Sequence, residues 1–205
     1  MWKKITTVFF DIGGVLVDID PGRTLNFLSE RAGVSREIME ASFPEFAHHD
    51  YERGKINDHE FFQAVKKALP QPNLLDETSF WAGWRLLVGN ETAAVDILKG
   101  LSRQLPIWII SNTNPRHIQE EGKRFSFFEH VTGTVYSYHV GSRKPEPEIF
   151  MTALDLAEVK PKESLFIDDV FENVVQARKL GVNALTYDSA DQLKAEIKKL
   201  GLDNA

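Results

Sequence analysis

The sequence predicts an α/β chain, a parallel sheet with helices on both faces and a small helical cap inserted after the first strand. Three observations carry that prediction. Short apolar runs alternate with helix-period segments through the second half of the chain. Acids, a hydroxyl and a lysine stand at or just after the carboxyl ends of those runs. More than ninety residues separate the first run from the next convincing one at Leu105, far more than a crossover helix needs.

The first strand is Ile5–Phe10 (ITTVFF), closed by Asp11. Gly13–Gly14 follow, suited to a tight turn in which backbone groups come close to a ligand. Helical patterns then appear near Pro21–Ala32, Ser35–Ser42, Asp58–Ala68 and Glu77–Leu87, with little strand signal among them. They imply an inserted helical segment at residues 20–88 and a core made of residues 1–19 and 89–205. A helix near Glu91–Arg103 is expected to return the chain to the sheet.

Leu105–Ile110 (LPIWII) is the next strand, closed by Ser111, and Asn114–Pro115 supply a cap and a first helical residue. Val131–Tyr136 precedes Lys144, and Pro145 and Pro147 lead into a helix with apolar Ile149, Phe150, Ala153, Leu154 and Ala157. Leu165–Ile167 is closed by Asp168–Asp169. A helix through Val174, Val175, Ala177 and Leu180 follows and ends at Gly181 in a left-handed cap. Asn183–Tyr187 reads as the last strand, and Ser189 caps a final helix through Leu200.

Composition narrows the partners. Basic residues number 24 against 30 acidic ones, a formal charge of −6, and no basic block exceeds short pairs such as Lys66–Lys67. Nucleic-acid or anionic-membrane binding is not expected. The absence of cysteine excludes disulfides and thiolate metal sites. Lys3–Lys4 before an apolar stretch imitates a secretory leader, but Asp11 and Asp18 interrupt it. No apolar run approaches the roughly 20 residues that span a bilayer, so a cytoplasmic location is expected. Oligomeric state is not readable.

In open parallel α/β sheets the ligand crevice lies outside the carboxyl ends of the strands. Asp11, Ser111, Lys144 and the Asp168–Asp169 pair therefore converge on one candidate active site. Each has a plainer use alone: a turn residue, a helix cap, a solvated lysine. The ordered set is what favours chemistry.

The runs Phe10-Asp11-Ile12-Gly13-Gly14-Val15-Leu16, Ser111-Asn112-Thr113-Asn114, Lys144-Pro145 and Phe166-Ile167-Asp168-Asp169 resemble the four ordered motifs of the haloacid dehalogenase superfamily. The resemblance covers essentially the whole core and implies a Rossmann-like sheet bearing a cap. Within the superfamily the chain looks most similar to small bacterial sugar-phosphate phosphatases of the α-glucose-1-phosphatase type. It implies a magnesium-dependent phosphatase of a small phosphorylated metabolite, a sugar 1-phosphate among the candidates. Asp11 would be the nucleophile, forming an aspartyl-phosphate. Magnesium would be held by Asp11, the Gly13 carbonyl and Asp169, with Asp168 direct or through water. Lys144, Ser111 and the amides of Asn112 and Gly14 would bind phosphate, and Asn173 would orient Lys144 or the acid pair.

One departure stands out. Most phosphatases of this superfamily carry a second Asp two positions after the nucleophile, as the general acid and base. Here that position is Gly13. The acid then comes from elsewhere (His48, His49, Glu52 and Asp18 are candidates), the leaving group needs less help, or the reaction is not ester hydrolysis. Two other classes stay open: 2-haloacid dehalogenation, in which the same Asp attacks carbon without metal, and a non-catalytic phosphate-metabolite binder. His48–His49 are adjacent, so both cannot face one ion from a helix. They are expected on the surface or in a loop around His48–Arg53 that helps select substrate. Trp81 and Trp84 are expected to form the core of the helical segment, with sugar stacking as the lesser alternative.

Overall fold

The computed structural model describes residues 4–121 and 123–202. In chain order these form β1 (Thr7–Phe10), β2 (Val17–Ile19), α1 (Pro21–Ala32), α2 (Arg36–Ala41), α3 (Glu45–Glu52), α4 (Asp58–Ala68) and α5 (Glu77–Trp84). There follow β3 (Val88–Glu91), α6 (Ala94–Leu101), β4 (Ile107–Ser111), α7 (Pro115–Glu121), β5 (Gly133–Tyr136), α8 (Ser137–Val140) and α9 (Pro147–Leu156). The last elements are β6 (Ser164–Asp168), α10 (Phe171–Lys179), β7 (Asn183–Thr186) and α11 (Ala190–Lys199).

Five strands form one sheet in the order β5-β4-β1-β6-β7, every neighbouring pair parallel. The buried strands read as continuous apolar runs because helices cover both faces. Alternate residues go to opposite sides. Val8, Phe10, Ile107, Ile109, Leu165 and Ile167 pack with α6 and α11, whereas Phe9, Ile110 and Phe166 pack with α9 and α10. Strand β1 lies in the middle, with β4 on one side and β6 on the other. Chain order reverses there, so the ends of these three strands flank a topological switch point.

Helices α1 to α5 enclose a separate apolar cluster that includes Leu28, Met39, Tyr51, Phe61, Phe80, Trp81 and Trp84. Local signals set their ends. Asn57 and Glu60 close a capping box on α4, Ser35 caps α2 and Asp76 caps α5. Gly33 ends α1 at φ +70°.

Two stretches differ from the sequence expectation. Val17–Ile19 and Val88–Glu91 pair as an antiparallel two-stranded ribbon. At three and four residues, with Asp18, Gly89 and Asn90 among them, they carry too little apolar alternation to be recognised. The ribbon delays the next helix to Ala94. The segment around His48–Arg53 is not a loop but helix α3, which starts without a side-chain cap at Pro44. Among the described residues no helix is long and apolar enough to cross a membrane.

Candidate active site

Parallel pairing aligns Phe10 with Ile109 on one side and with Ile167 on the other, so Asp11, Ser111 and Asp168 emerge together at the switch point. The Asp11 N–H donates to the Ile167 carbonyl at 3.0 Å, and its Oδ1 accepts from the Ile12 N–H at 2.7 Å. Lys144 Nζ lies 2.8 Å from Asp11 Oδ1 and 2.6 Å from Asp168 Oδ2. Lys144 is 2% exposed and Asp168 fully buried, so this is an interior ion cluster rather than a surface bridge.

Asp168 is held from three sides. Asn173 Nδ2 donates to both of its oxygens at 3.0 and 3.1 Å, and the Val170 N–H donates to Oδ1 at 2.8 Å. Asp169 differs: among the described residues it enters no ion pair. Its carboxylate lies against Gly14, whose φ is +77° and where any Cβ would collide with it. Glycine is thus required at 14 on two counts. Carboxylate oxygens of Asp11, Asp168 and Asp169 come within 4.8 Å of one another.

The electrostatics of this cluster are unbalanced. Burial pushes the Asp11 carboxyl up to about 7; Lys144 opposes the shift and Asp168 adds to it. Burial also raises Asp169, with repulsion from Asp168 next. For Lys144 burial disfavours the ammonium, but Asp11 and Asp168 outweigh it and hold its pKa above the usual 10.5. When all are ionised, three carboxylates face one ammonium. The site is therefore short of positive charge, and its spare donors are hard carboxylate oxygens. Both features suit a divalent cation with a preference for oxygen.

The remaining motif residues divide by what they touch. The Asn112 side chain donates to the Lys144 carbonyl at 2.9 Å and accepts from its N–H at 2.7 Å, so it fixes the backbone that presents Lys144. The Ser111 hydroxyl has no protein partner among the described residues and lines a neighbouring cleft. The Gly14 amide, expected to face phosphate, instead donates to the Val17 carbonyl at 2.9 Å and closes the turn into β2. No described residue accepts from the Gly13 N–H, which makes it the available amide of that loop.

That cleft encloses about 140 Å³. It begins at Ile12, Gly13, Ser111 and Asn112 and runs beneath the helical segment to His48, Glu52, Trp84, Asn114 and His117. The acid cluster adjoins it rather than lining it. Trp84 contributes to the apolar cluster, as expected for both tryptophans, yet also forms part of the cleft wall. Its ring stacks on His117 with centroids 5.7 Å apart. His117 accepts no ordinary protonation there, because burial lowers its pKa to about 4 against the weaker opposing effect of the Trp84 carbonyl.

His117 should leave a signature in stability. A depressed histidine pKa contributes stability present above pH 6.5 and lost as pH falls through about 4. The full shift corresponds to roughly 3 kcal/mol at 1.36 kcal/mol per pKa unit, reduced by the ring's partly open edge. Urea titrations of the wild type and His117→Gln from pH 7 to 4 should show a flatter acid limb in the variant.

Long-range pairs not foreseen from the sequence tie the helical segment to the core. Glu52 Oε2 meets Arg143 Nε at 2.7 Å, Arg53 pairs with Glu146, and Arg116 Nη1 lies 3.3 Å from Asp58 Oδ2. Two of the three flank Lys144 in sequence.

A family model for haloacid dehalogenase-like hydrolases matches residues 5–181. The chain belongs to the haloacid dehalogenase-like hydrolases. Among curated members of known activity, the D-ribitol-5-phosphate phosphatase of Bacteroides thetaiotaomicron is 26% identical over 203 residues, spanning 94% of this chain and 97% of that one. A haloacid dehalogenase family enzyme from the same organism, solved as a magnesium complex, superposes with a TM-score of 0.81 at 27% identity over 91% of this chain and 95% of that one. The 2-haloacid dehalogenase of Pseudomonas syringae pv. Tomato has a TM-score of 0.65 at 18% identity over 95% and 99% of the two chains, a likeness of fold alone.

Proposed function

We propose that this hydrolase is a magnesium-dependent phosphatase of a small phosphorylated metabolite, with sugar and polyol monophosphates the favoured class. One observation carries the reading: three carboxylates around a single buried lysine, at the switch point of the sheet, with charge left over for a divalent ion. The full-length similarity to an enzyme named for D-ribitol 5-phosphate supports the substrate class. The magnesium complex of a similar hydrolase supports the metal.

In this reading Asp11 attacks phosphorus and carries the phosphoryl group as an acyl phosphate until water displaces it. Asp11, Asp169 and the Gly13 carbonyl would hold the ion. Asp168 is already engaged by Lys144, Asn173 and Val170, so it would contribute through its second contact sphere. The bound ion would neutralise charge on the phosphoryl oxygens and draw the Asp11 carboxyl toward its ionised form. Lys144 and the Ser111 hydroxyl would bind phosphoryl oxygens, joined by the amides of Gly13 and Asn112. Asn173 would keep Asp168 aimed at Lys144. Residues 20–88 would act as a cap over a core of residues 1–19 and 89–205, excluding bulk water during transfer.

The dehalogenase alternative is disfavoured by the same cluster, since two extra carboxylates would repel a haloacid carboxylate. A panel of sugar, polyol and nucleotide monophosphates with and without magnesium is expected to release inorganic phosphate only with the metal. Chloride release from a 2-chloroacid that persists in chelator would reverse the assignment. Ligand binding without turnover on the whole panel would favour a non-catalytic binder.

A further inference from the structure

Displacement of an alcohol at phosphorus needs a proton for the departing oxygen and a base for the attacking water. The loop that carries Asp11 supplies neither, for it continues Ile12, Gly13, Gly14, Val15. Its third position is also crowded: a Cβ on Gly13 would stand 3.2 Å from Ile19 Cγ1 of the β2 ribbon. The proton must enter from the facing wall.

That wall offers three titratable side chains, His48, Glu52 and His117. His117 has both ring nitrogens engaged, Nδ1 with Asn114 Nδ2 at 3.3 Å and Nε2 with the Trp84 carbonyl at 3.4 Å. Glu52 Oε2 is taken by Arg143, and its Oε1 faces His48 Nε2 at 3.7 Å. His48 remains. Its Nδ1 has no hydrogen-bond partner among the described residues, and its ring is fixed by stacking on Phe61 and by edge contacts with Phe43 and Trp84. His49, one residue on, is turned toward Glu45 and away from the cleft, and Asp18 is exposed on the ribbon. The charged and titratable groups around His48 are Glu45, His49 and Glu52 on its own helix, with Arg143 and His117 from the core; burial lowers the imidazole pKa, and Glu52 is the main group that favours its charged form.

We propose that His48, oriented by Glu52, is the proton-transfer residue of the phosphatase site; this rests on the function proposed above. As an Asp11 oxygen bonds to phosphorus, the ester P–O bond breaks and its electron pair stays with the leaving oxygen, which takes the His48 proton and departs as an alcohol. Water then bonds to phosphorus and gives a proton to the neutral imidazole. The Asp11–phosphorus bond breaks, releasing inorganic phosphate and restoring the carboxylate and the imidazolium. Glu52 is a positioning residue, anchored in turn by Arg143.

The test compares p-nitrophenyl phosphate, whose leaving group needs no proton, with D-ribitol 5-phosphate, whose alcohol does. His48→Gln should slow single-turnover hydrolysis of the alkyl ester about 100-fold or more, the usual range for a lost general acid. With p-nitrophenyl phosphate it should keep a burst of one nitrophenolate per site within about threefold of the wild-type rate, then turn over slowly because water lacks its base. Glu52→Gln should show the same dependence on leaving group at smaller amplitude, which a merely loosened fold would not produce. Equal slowing of both esters by both variants, or no slowing by either, overturns the proposal. No burst and no turnover in the wild type would sink the phosphatase reading itself, and Asp11→Asn separates the two by abolishing the burst.

Discussion

Replacing Asp11 by Asn is expected to abolish phosphate release while leaving the fold as stable or more stable. The activity loss should reach about 10⁴-fold or more, in line with removal of a nucleophile elsewhere. The stability result follows from charge. The folded Asp11 carboxyl titrates near 7 against an ordinary 3.8, so between those values the folded state holds its proton more tightly than the unfolded chain does. Ionised Asp11 therefore opposes folding in the metal-free protein, and increasingly so as pH rises from 4 through 7. Asn keeps an oxygen for the Ile12 N–H and removes the charge. Thermal melts without metal should thus show a gain for the variant at pH 8 that shrinks toward pH 4. Such a pairing of lost activity with gained stability is what a site assembled against its own electrostatics should show.

Replacing Lys144 by Ala should do the reverse, damaging both. The ammonium is buried between Asp11 and Asp168 at 2.8 and 2.6 Å, and its removal leaves two carboxylates without a counter-charge. Breaking a buried pair in this way costs about 3–5 kcal/mol. The raised Lys144 pKa means that its contribution is fully present below 10.5 and is lost only above the folded value, so the lysine stays charged throughout the neutral range. Any pH dependence of the deficit then belongs to the carboxylates. Urea denaturation should find it largest near pH 8 and smaller near pH 5, where Asp11 takes up its proton. Added magnesium should recover part of the stability. Turnover should stay depressed about 100-fold or more, because the donor that meets charge developing on the phosphoryl group is gone.

The sequence reveals one part of this site far better than the other. Asp11, Ser111 and Asp168 were legible because each closes a short apolar run, and a parallel sheet places such ends together whatever the loops do. Lys144 and Asn173 sit one element further on, and only their place in the ordered motifs marked them. The Asn112 amide is assigned to phosphate from the sequence, but nothing there foretells the work of its side chain, whose two bonds to the Lys144 backbone span 32 residues and leave no local trace. The Gly14 amide departs from its expected place facing phosphate for a related reason. Val17 belongs to a ribbon whose partner strand lies beyond five helices, and that pairing decides which amide of the glycine loop is free. Helix α3 was missed because it begins after Pro44 with no side-chain cap, and its polar run EFAHHDYE has weak periodicity. Its placement matters most for chemistry, since it turns His48 toward the cleft and His49 away. The pairs from Glu52 to Arg143 and Arg53 to Glu146, 91 and 93 residues apart, fix that placement and are invisible to any local pattern.

The central claim is that the Asp11 carboxylate is transiently phosphorylated. Rapid acid quench of the enzyme turning over a monophosphate ester in magnesium, followed by peptide mass spectrometry, addresses it directly. A phosphate adduct confined to the peptide that carries Asp11, absent when chelator replaces magnesium and absent in Asp11→Asn, is the result expected. An adduct on Ser111 or His48, or full turnover in a variant lacking the Asp11 carboxylate, would contradict it.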